Sequence, residues 1–143
     1  MSNGPPVGGN AERAEAAHII EEALAGRTIQ LNGVGKQVRD LLHATDLARL
    51  FVALAERREA GSPHAVNVGG GVENSLSIRE LFAWLKRDAG IDVDYRTGPP
   101  RPSDQLSYIS DLTAVTKLTG WKPEVSLEQG LGRLLAGLVK ANP

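Results

Sequence analysis

The sequence has 143 residues, and 16 Lys and Arg against 17 Asp and Glu give a formal net charge of −1. This length suits one domain, and the balanced charge argues against a nucleic-acid-binding protein, because such proteins usually carry a basic surplus. There is no cysteine, which excludes disulfides and thiol catalysis and suits a reducing cytoplasm. No apolar run approaches about 18 residues, and the first ten residues are neither basic nor apolar, so neither a membrane-spanning helix nor a signal peptide is predicted.

The first part of the chain predicts a flexible segment, a helix and a strand. Residues 1–10 are rich in Gly and Pro and are expected to be flexible, which leaves residues 11–143 as the folded domain. Asn10 can cap a helix that runs to about Ala25 and ends at Gly26. The alternation over residues 28–31 indicates a short strand, followed by a tight Asn-Gly turn. The apolar stripe of the helix comprises Ala16, Ile19, Ile20, Ala23 and Leu24.

A second helix is predicted after a Gly-rich turn. Residues 33–46 read GVGKQVRDLLHATD, in which Leu41-Leu42 resembles a short strand and Asp46 is placed to cap a helix reaching about Arg58. The apolar face of that helix would carry Leu47, Leu50, Phe51 and Leu54.

Arg39 and Asp40 follow that turn as an adjacent cation and anion. A guanidinium beside a carboxylate can clamp an anion, because arginine binds phosphate oxygens through two parallel hydrogen bonds. The alternative is an ordinary surface ion pair that contributes little.

The second half of the chain alternates short strands with helices. Residues 64–68 and 91–97 indicate strands. Between them, Gly69-Gly70-Gly71 is interpreted as a strand-to-helix turn in preference to a phosphate contact, and Ser77 with Glu80 predicts a capping box for a helix ending near Gly90. Later in the chain, Asp111 would cap a short helix over residues 112–118 that Gly120 closes. Ser126 and Gln129 predict a second capping box, which opens the last helix. The inward residues of that helix would be Leu127, Leu131, Leu134, Leu135 and Leu138.

These elements predict an α/β (α+β) fold with about five helices and three or four short strands. The residues themselves indicate no catalytic centre. His18, His43 and His64 lie on different predicted elements and lack the spacing of a metal site, and no serine lies in a nucleophile elbow. Arg101 lies in a proline-rich loop, GPPRP at residues 98–102, where restricted backbone freedom would suit a phosphate-binding arginine or an ordinary surface loop.

Three segments, in order along the chain, resemble the extended short-chain dehydrogenase/reductases, which are NAD-dependent nucleotide-sugar epimerases and dehydratases. The first is GKQVRDLLHATDL at residues 35–47, and the second is VNVGGG at 66–71 with ENSLS at 73–77. The third is RPSDQ at residues 101–105, with SD at 110–111 and GWKP at 120–123. The resemblance spans roughly residues 26–138, and the pattern is most similar to the CDP-tyvelose (CDP-paratose) 2-epimerase subgroup.

The resemblance implies roles for four residues in binding a nucleoside diphosphate sugar. In the family, the arginines of the VRD and RxxD segments reach the diphosphate, and the matching residues here are Arg39 and Arg101. The Asp of the RxxD segment bonds the nucleotide, which matches Asp104, and Tyr108 is a further candidate. No catalytic, cofactor-binding or metal-binding residue is implied at the matching positions.

The family's N-terminal Rossmann half has no counterpart in this sequence. No G-x-x-G-x-x-G follows an apolar strand. The family's Tyr-x-x-x-Lys is also absent, because Tyr95 and Tyr108 are followed four residues later by Pro99 and Leu112. The resemblance therefore implies NAD as the cofactor of the full-length family, while this chain alone is expected to bind no NAD and to lack activity.

Three hypotheses follow. The chain could be the substrate-binding part of such an epimerase, with its chemistry dependent on a missing or separate Rossmann chain. It could instead be a stand-alone module that binds a nucleotide sugar. It could also be a non-catalytic interaction protein or relic, with an exposed apolar face that drives homo-oligomerisation or partner binding.

Overall fold

The computed structural model describes residues 10–57 and 65–141, with side chains from residue 15 onward. The predicted flexible segment up to residue 9 and the side chain of the predicted cap Asn10 lie outside the described residues. The described part contains five α-helices, one 3-10 turn and five strands of two or three residues, which confirms the predicted mixed fold. In chain order these are α1 (Asn10–Leu24), β1 (Ile29–Gln30), β2 (Val38–Asp40), α2 (Ala44–Glu56), the 3-10 turn (Val72–Asn74), β3 (Ser75–Ser77), α3 (Ile78–Ala89), β4 (Tyr95–Arg96), β5 (Ser107–Tyr108), α4 (Thr113–Thr119) and α5 (Leu127–Ala141).

The strands form two small sheets. β1 pairs in parallel with β4. These are the two strands predicted within residues 28–31 and 91–97. The second sheet has the order β3-β2-β5, in which β2 runs antiparallel to β3 and parallel to β5. Arg39 in the central strand lies opposite Leu76 on one side and Tyr108 on the other.

Two strand predictions were wrong. Leu41-Leu42 follows β2 and does not form a strand, because β2 consists of the preceding residues 38–40. Residues 65–68, the described part of the strand predicted at 64–68, form no strand either. Val66 and Val68 pack instead against a small apolar cluster, so their alternation reflects side-chain burial without backbone pairing.

The main core lies between α1, α3 and α5 and the short strands. The predicted inward residues of α1 are buried there, except Leu24, which is 37% exposed because it lies at the last turn of the helix. Leu131 of α5 is buried, and the other predicted inward leucines of α5 pack against the same core. The most buried members of this core are Ile20 and Leu85.

The two predicted capping boxes are confirmed, whereas the cap predicted at Asp111 is not, because Leu112 occupies the cap position of α4. Ser77 accepts a hydrogen bond from the backbone N–H of Glu80, whose carboxylate accepts one from the N–H of Ser77. Ser126 and Gln129 exchange the same two hydrogen bonds before α5. Because each pair lies within four residues, the sequence pattern is sufficient to predict its geometry.

A second apolar cluster surrounds Leu50, Val115 and Trp121 and joins α2 to α4. Leu47 and Leu54 pack against this cluster as predicted, whereas Phe51 does not. Phe51 is 62% exposed and Val52 is 58% exposed, so the predicted inward orientation of Phe51 was wrong. The outer side of α2 is therefore the kind of exposed apolar surface that the interaction hypothesis expects.

Asp46 was predicted to cap α2, but it lies in the first turn of that helix. The cap is His43, whose ring nitrogen Nδ1 accepts a hydrogen bond from the N–H of Thr45. The Asp46 carboxylate is buried and accepts hydrogen bonds from the backbone N–H groups of Glu124 and Val125 and from Arg49. Asp46 therefore anchors the loop before α5 onto α2.

The pKa of Asp46 reflects this environment. Burial alone would raise it, but the hydrogen bonds from Arg49, Glu124 and Val125 outweigh burial and hold the pKa below its usual value of 3.8. A lowered folded-state pKa means that the ionised form stabilises the protein above the unfolded-state pKa, and that this stabilisation is lost as the pH falls through the folded-state pKa.

Asp46→Asn is accordingly expected to destabilise the protein by about 2–4 kcal/mol at neutral pH, because it removes a charged acceptor from three donors. The difference from wild type should shrink as the pH falls below about 4. Urea unfolding of both proteins, followed by circular dichroism from neutral to acidic pH, measures this. A difference that stays constant over that range would contradict the assigned role.

Candidate functional site

A groove of about 630 Å³ lies between α1 and the short strands. α1 contributes Glu15, His18 and Glu22 to its lining, together with Ala16 and Ile19. Further lining residues come from residues 28–32, from β2 and from the loop around residues 101–104. Three of the four residues expected to bind the nucleotide sugar, Arg39, Arg101 and Asp104, line this single groove.

Arg39 reaches the groove because it occupies the middle of β2. Its Nη2 donates to Oδ1 of Asp104 at 3.1 Å, and its Nη1 donates to the carbonyl of Val38 at 2.9 Å. The side chains of Arg39 and Asp104 are only 20% and 27% exposed. The pair is therefore more shielded than an ordinary surface ion pair.

Asp40 is not the partner of Arg39, contrary to one interpretation of the adjacent charges. Successive residues of a strand point to opposite faces, so Asp40 turns away from the groove and is buried. Its Oδ2 accepts hydrogen bonds from the backbone N–H groups of Gly71 at 2.9 Å and Ser110 at 3.1 Å. Asp40 thus fixes the loops on either side of β2, and Asp104 takes the place beside Arg39.

Arg101 is held by Asn32, which follows β1. With the side-chain amide of Asn32 turned so that its oxygen faces Arg101, this oxygen accepts hydrogen bonds from Nε and Nη2 of Arg101 at 3.0 and 2.9 Å. This pair connects the proline-rich loop to the turn after β1. The stiff loop predicted around Arg101 is therefore also tied by a side chain from another element.

Gln37 belongs to the same site, although the sequence reasoning did not select it. Its Nε2 donates to the Asn32 backbone carbonyl at 2.6 Å and to Oδ2 of Asp104 at 3.2 Å. The available signal was its place two residues before Arg39, on the same side of an extended segment.

Tyr108, the fourth expected residue, lies beside Arg39 but not in the groove lining. It is opposite Arg39 in the β2–β5 pairing and is 43% exposed. The geometry thus brings three of the expected residues together and leaves Tyr108 adjacent to them.

The Gly69-Gly70-Gly71 turn is packed against protein atoms. A Cβ on Gly69 would overlap the side chains of Asp40 and Ser110, and a Cβ on Gly70 would overlap the carbonyl of Leu41. This supports the interpretation of the three glycines as a tight turn, with the space beside Gly69 and Gly70 taken by the chain itself.

Within residues 10–57 and 65–141, no three His, Asp or Glu side chains are grouped in a way that could hold a metal ion. No helix in this part of the chain is both long and apolar enough to cross a membrane.

Comparison with known proteins relates the chain to one enzyme family. The model of the NAD dependent epimerase/dehydratase family matches residues 3–69. CDP-paratose 2-epimerase of Salmonella typhi is 40% identical over 105 residues, which is 73% of this chain and 31% of that protein. UDP-glucose 4-epimerase of Mycolicibacterium smegmatis is 32% identical over 130 residues, which is 91% of this chain and 40% of that protein.

Solved structures show the same fold. The UDP-glucose 4-epimerase of Thermotoga maritima with UDP-glucose matches with a TM-score of 0.79 and 30% identity over 90% of this chain and 40% of that one. MoeE5 in complex with UDP-glucuronic acid and NAD matches with a TM-score of 0.81 at 24% identity, covering 89% of this chain and 42% of that chain. The chain thus spans about a third to two fifths of the proteins that it matches.

Proposed function

This chain belongs to the NAD-dependent epimerase/dehydratase family, and we propose that residues 11–143 form the part that binds the nucleoside diphosphate sugar. The observation that carries this proposal is the convergence of Arg39, Arg101 and Asp104 on one groove. These residues come from β2 and from a loop more than 60 residues later, so their meeting is a property of the fold. The solved relatives that hold UDP-glucose or UDP-glucuronic acid support the ligand class.

The two guanidiniums suit a diphosphate because neither is fully used by the protein. Each arginine has five N–H groups. Among the described residues, Arg39 donates to Asp104 and Val38, and Arg101 donates twice to Asn32. The remaining N–H groups of both side chains are available for phosphate oxygens, with which guanidinium forms short, charge-assisted bonds.

Asp104 and Tyr108 complete the proposed site. Asp104 is the one carboxylate on the arginine side of the groove lining, and we assign it to the nucleotide, whose hydroxyl groups can donate to it. Tyr108, beside Arg39 in the sheet, is assigned to the outer end of the bound molecule. The other acidic side chains of the lining, Glu15 and Glu22, belong to α1, and we place the diphosphate beside the arginines, where the opposite charges attract.

Within the described residues, the Gly69-Gly70-Gly71 turn does not fit the diphosphate of a dinucleotide. A phosphate-binding glycine turn needs open space beside its glycines, but protein atoms fill the space beside Gly69 and Gly70. In this proposal NAD would be held by a Rossmann part outside these 143 residues, where it would take up and return a hydride of the sugar. The exposed Phe51 and Val52 on α2 support association with such a part or with a second copy. The sequence contains no cysteine, which supports the cytoplasm as the location.

Isothermal titration of the purified chain with UDP-glucose and CDP-glucose tests the proposal. We expect a Kd on the order of 10 µM for at least one of them, about −7 kcal/mol at 25 °C. We also expect no conversion of the sugar and no NAD binding. Absence of binding at millimolar ligand would overturn the proposed binding site, and turnover by the isolated chain would overturn the assignment of the chemistry to another part.

A further inference from the structure

The two arginines of the groove are linked through three hydrogen-bonded residues, Asp104, Gln37 and Asn32. Arg39 donates to one oxygen of Asp104, and Gln37 donates to the other. Gln37 also donates to the backbone carbonyl of Asn32, whose side chain accepts from Arg101. We call this set the arginine network: Asn32, Gln37, Arg39, Arg101 and Asp104. Gln37 is its central member, because the contacts to Arg39 and the contacts to Arg101 meet at its amide nitrogen.

The orientation of the Gln37 amide is fixed by its neighbours. Its nitrogen lies 2.6 Å from the Asn32 carbonyl oxygen and 3.2 Å from the Asp104 carboxylate oxygen, and both of these atoms only accept hydrogen bonds. Turning the amide would bring three oxygens together. In the observed orientation both N–H groups are used, while Oε1 is buried without a hydrogen-bond partner among the described residues.

A buried acceptor without a partner is unfavourable, so the two donated bonds must determine this arrangement. They hold Asp104 towards Arg39 and the turn at Asn32 towards Arg101. Fixing side chains in the binding geometry reduces the entropy that must be lost on binding.

We propose that Gln37 is a positioning residue that sets the separation of the Arg39 and Arg101 guanidiniums for a diphosphate. It does so through its two bonds to Asp104 and Asn32, without itself contacting the phosphates. This inference rests on the proposed function, since it concerns the geometry of the same binding groove.

Gln37→Glu is the informative variant, because its donor capacity depends on pH. The protonated carboxyl group has one O–H, which can donate to Asp104 or to Asn32. The ionised group can donate nothing and places a second negative charge beside Asp104. Because the ordinary pKa of glutamate is about 4.3, the affinity of Gln37→Glu for UDP-glucose, relative to wild type, should be within about threefold at pH ~4 and about 30-fold weaker at pH ~8.

Gln30→Glu is the matched control. Gln30 lines the same groove, but among the described residues its amide donates to the neighbouring Leu31 carbonyl and lies outside the arginine network. Gln30→Glu adds the same negative charge as Gln37→Glu, so its loss of affinity measures the general repulsion between this charge and an anionic ligand. His18, Glu15 and Glu22 line the groove in all three proteins, so their contribution to binding is common to them and cancels in the ratio to wild type at each pH.

The measurement is titration calorimetry with UDP-glucose at the two pH values, with circular dichroism to confirm folding. The proposal is supported if Gln37→Glu loses more affinity for UDP-glucose than Gln30→Glu at the higher pH and regains that affinity at the lower pH. Coincident pH profiles for the two variants overturn it. If Gln37→Glu unfolds at the higher pH, Gln37→Met, which lacks donors and charge, should bind about tenfold more weakly at both pH values; wild-type affinity for it overturns the proposal. A wild-type protein that binds no UDP-glucose overturns the proposed function itself, and with it the role of Gln37.

Discussion

The double variant Arg39→Ala/Arg101→Ala is expected to bind UDP-glucose about 100-fold to 10,000-fold more weakly than wild type. A hydrogen bond to a charged group contributes about 1.5–3 kcal/mol, and two guanidiniums on one diphosphate contribute twice that if they act independently. Each single variant should lose roughly the square root of the double loss, unless the shared network couples the two side chains. Titration calorimetry of wild type, the two single variants and the double variant at one salt concentration measures the loss of affinity in each variant and the coupling between the two arginines.

Arg87→Ala is the control for this series. Arg87 lies on α3, where it pairs with Asp88 and Glu128 at the protein surface, away from the groove lining. Arg87→Ala removes the same positive charge as either groove variant, but it should change the affinity for UDP-glucose by less than about twofold, because an exposed charge is screened by salt. Equal losses for Arg87→Ala and Arg101→Ala would show that net charge, and not the groove, determines binding.

Gly70→Ala is expected to destabilise the protein by about 3 kcal/mol or more, which places it among the most damaging single substitutions. The added Cβ would overlap the backbone carbonyl oxygen of Leu41 and lie 2.9 Å from the Cβ of Asn74. Neither atom can move without shifting the backbone that follows β2. Urea unfolding monitored by tryptophan fluorescence would measure the change.

Gly132→Ala provides the opposite expectation. Gly132 lies within α5, and a Cβ there would meet no other atom within 4 Å. Alanine is a better helix former than glycine by about 0.8–1 kcal/mol, so this variant should be slightly stabilised. If the two alanine variants unfolded at the same urea concentration, the close approach at Gly70 would be contradicted.

The helix ends that carry a capping box or a closing glycine were predictable because their signals are local. The capping pairs at Ser77 and Ser126 each require only residues three positions apart, and glycine at positions 90 and 120 ends a helix with a positive φ. The strands were less predictable. A strand of two or three residues depends on a partner elsewhere in the chain, as Val38 depends on Ser77 and Ser107, and the apolar alternation at residues 65–68 arose from packing alone.

Asp40 and Asp46, which belong to the same motif, show that residue type alone does not predict the environment of a side chain. The sequence predicted Asp40 as part of an anion clamp or of a surface ion pair with Arg39, and Asp46 as the cap of a helix. Both are buried, and each accepts backbone N–H groups from loops brought in by the tertiary fold. Nothing within a few residues of either position specifies those donors, which lie 31 to 79 residues away.

For the site, family resemblance supplied what local chemistry could not. Arg39, Arg101 and Asp104 were selected by their places in two motifs, and the fold brings them into one groove. Their roles in binding remain predictions for the titrations above. Gln37 was overlooked because a glutamine carries no charge and is common on surfaces, and its importance depends on Asp104, 67 residues later.

The division of the apolar side chains into two separate clusters has a consequence for how the protein opens. The groove is built on the larger cluster, around α1, α3 and α5, whereas α2 and α4 rest on the small one around Leu50 and Trp121. A small cluster with an exposed outer helix face should exchange its amide hydrogens through local opening, at a lower free energy than global unfolding. We expect the amides of α2 and α4 to exchange first, while the walls of the groove stay protected and able to hold a ligand.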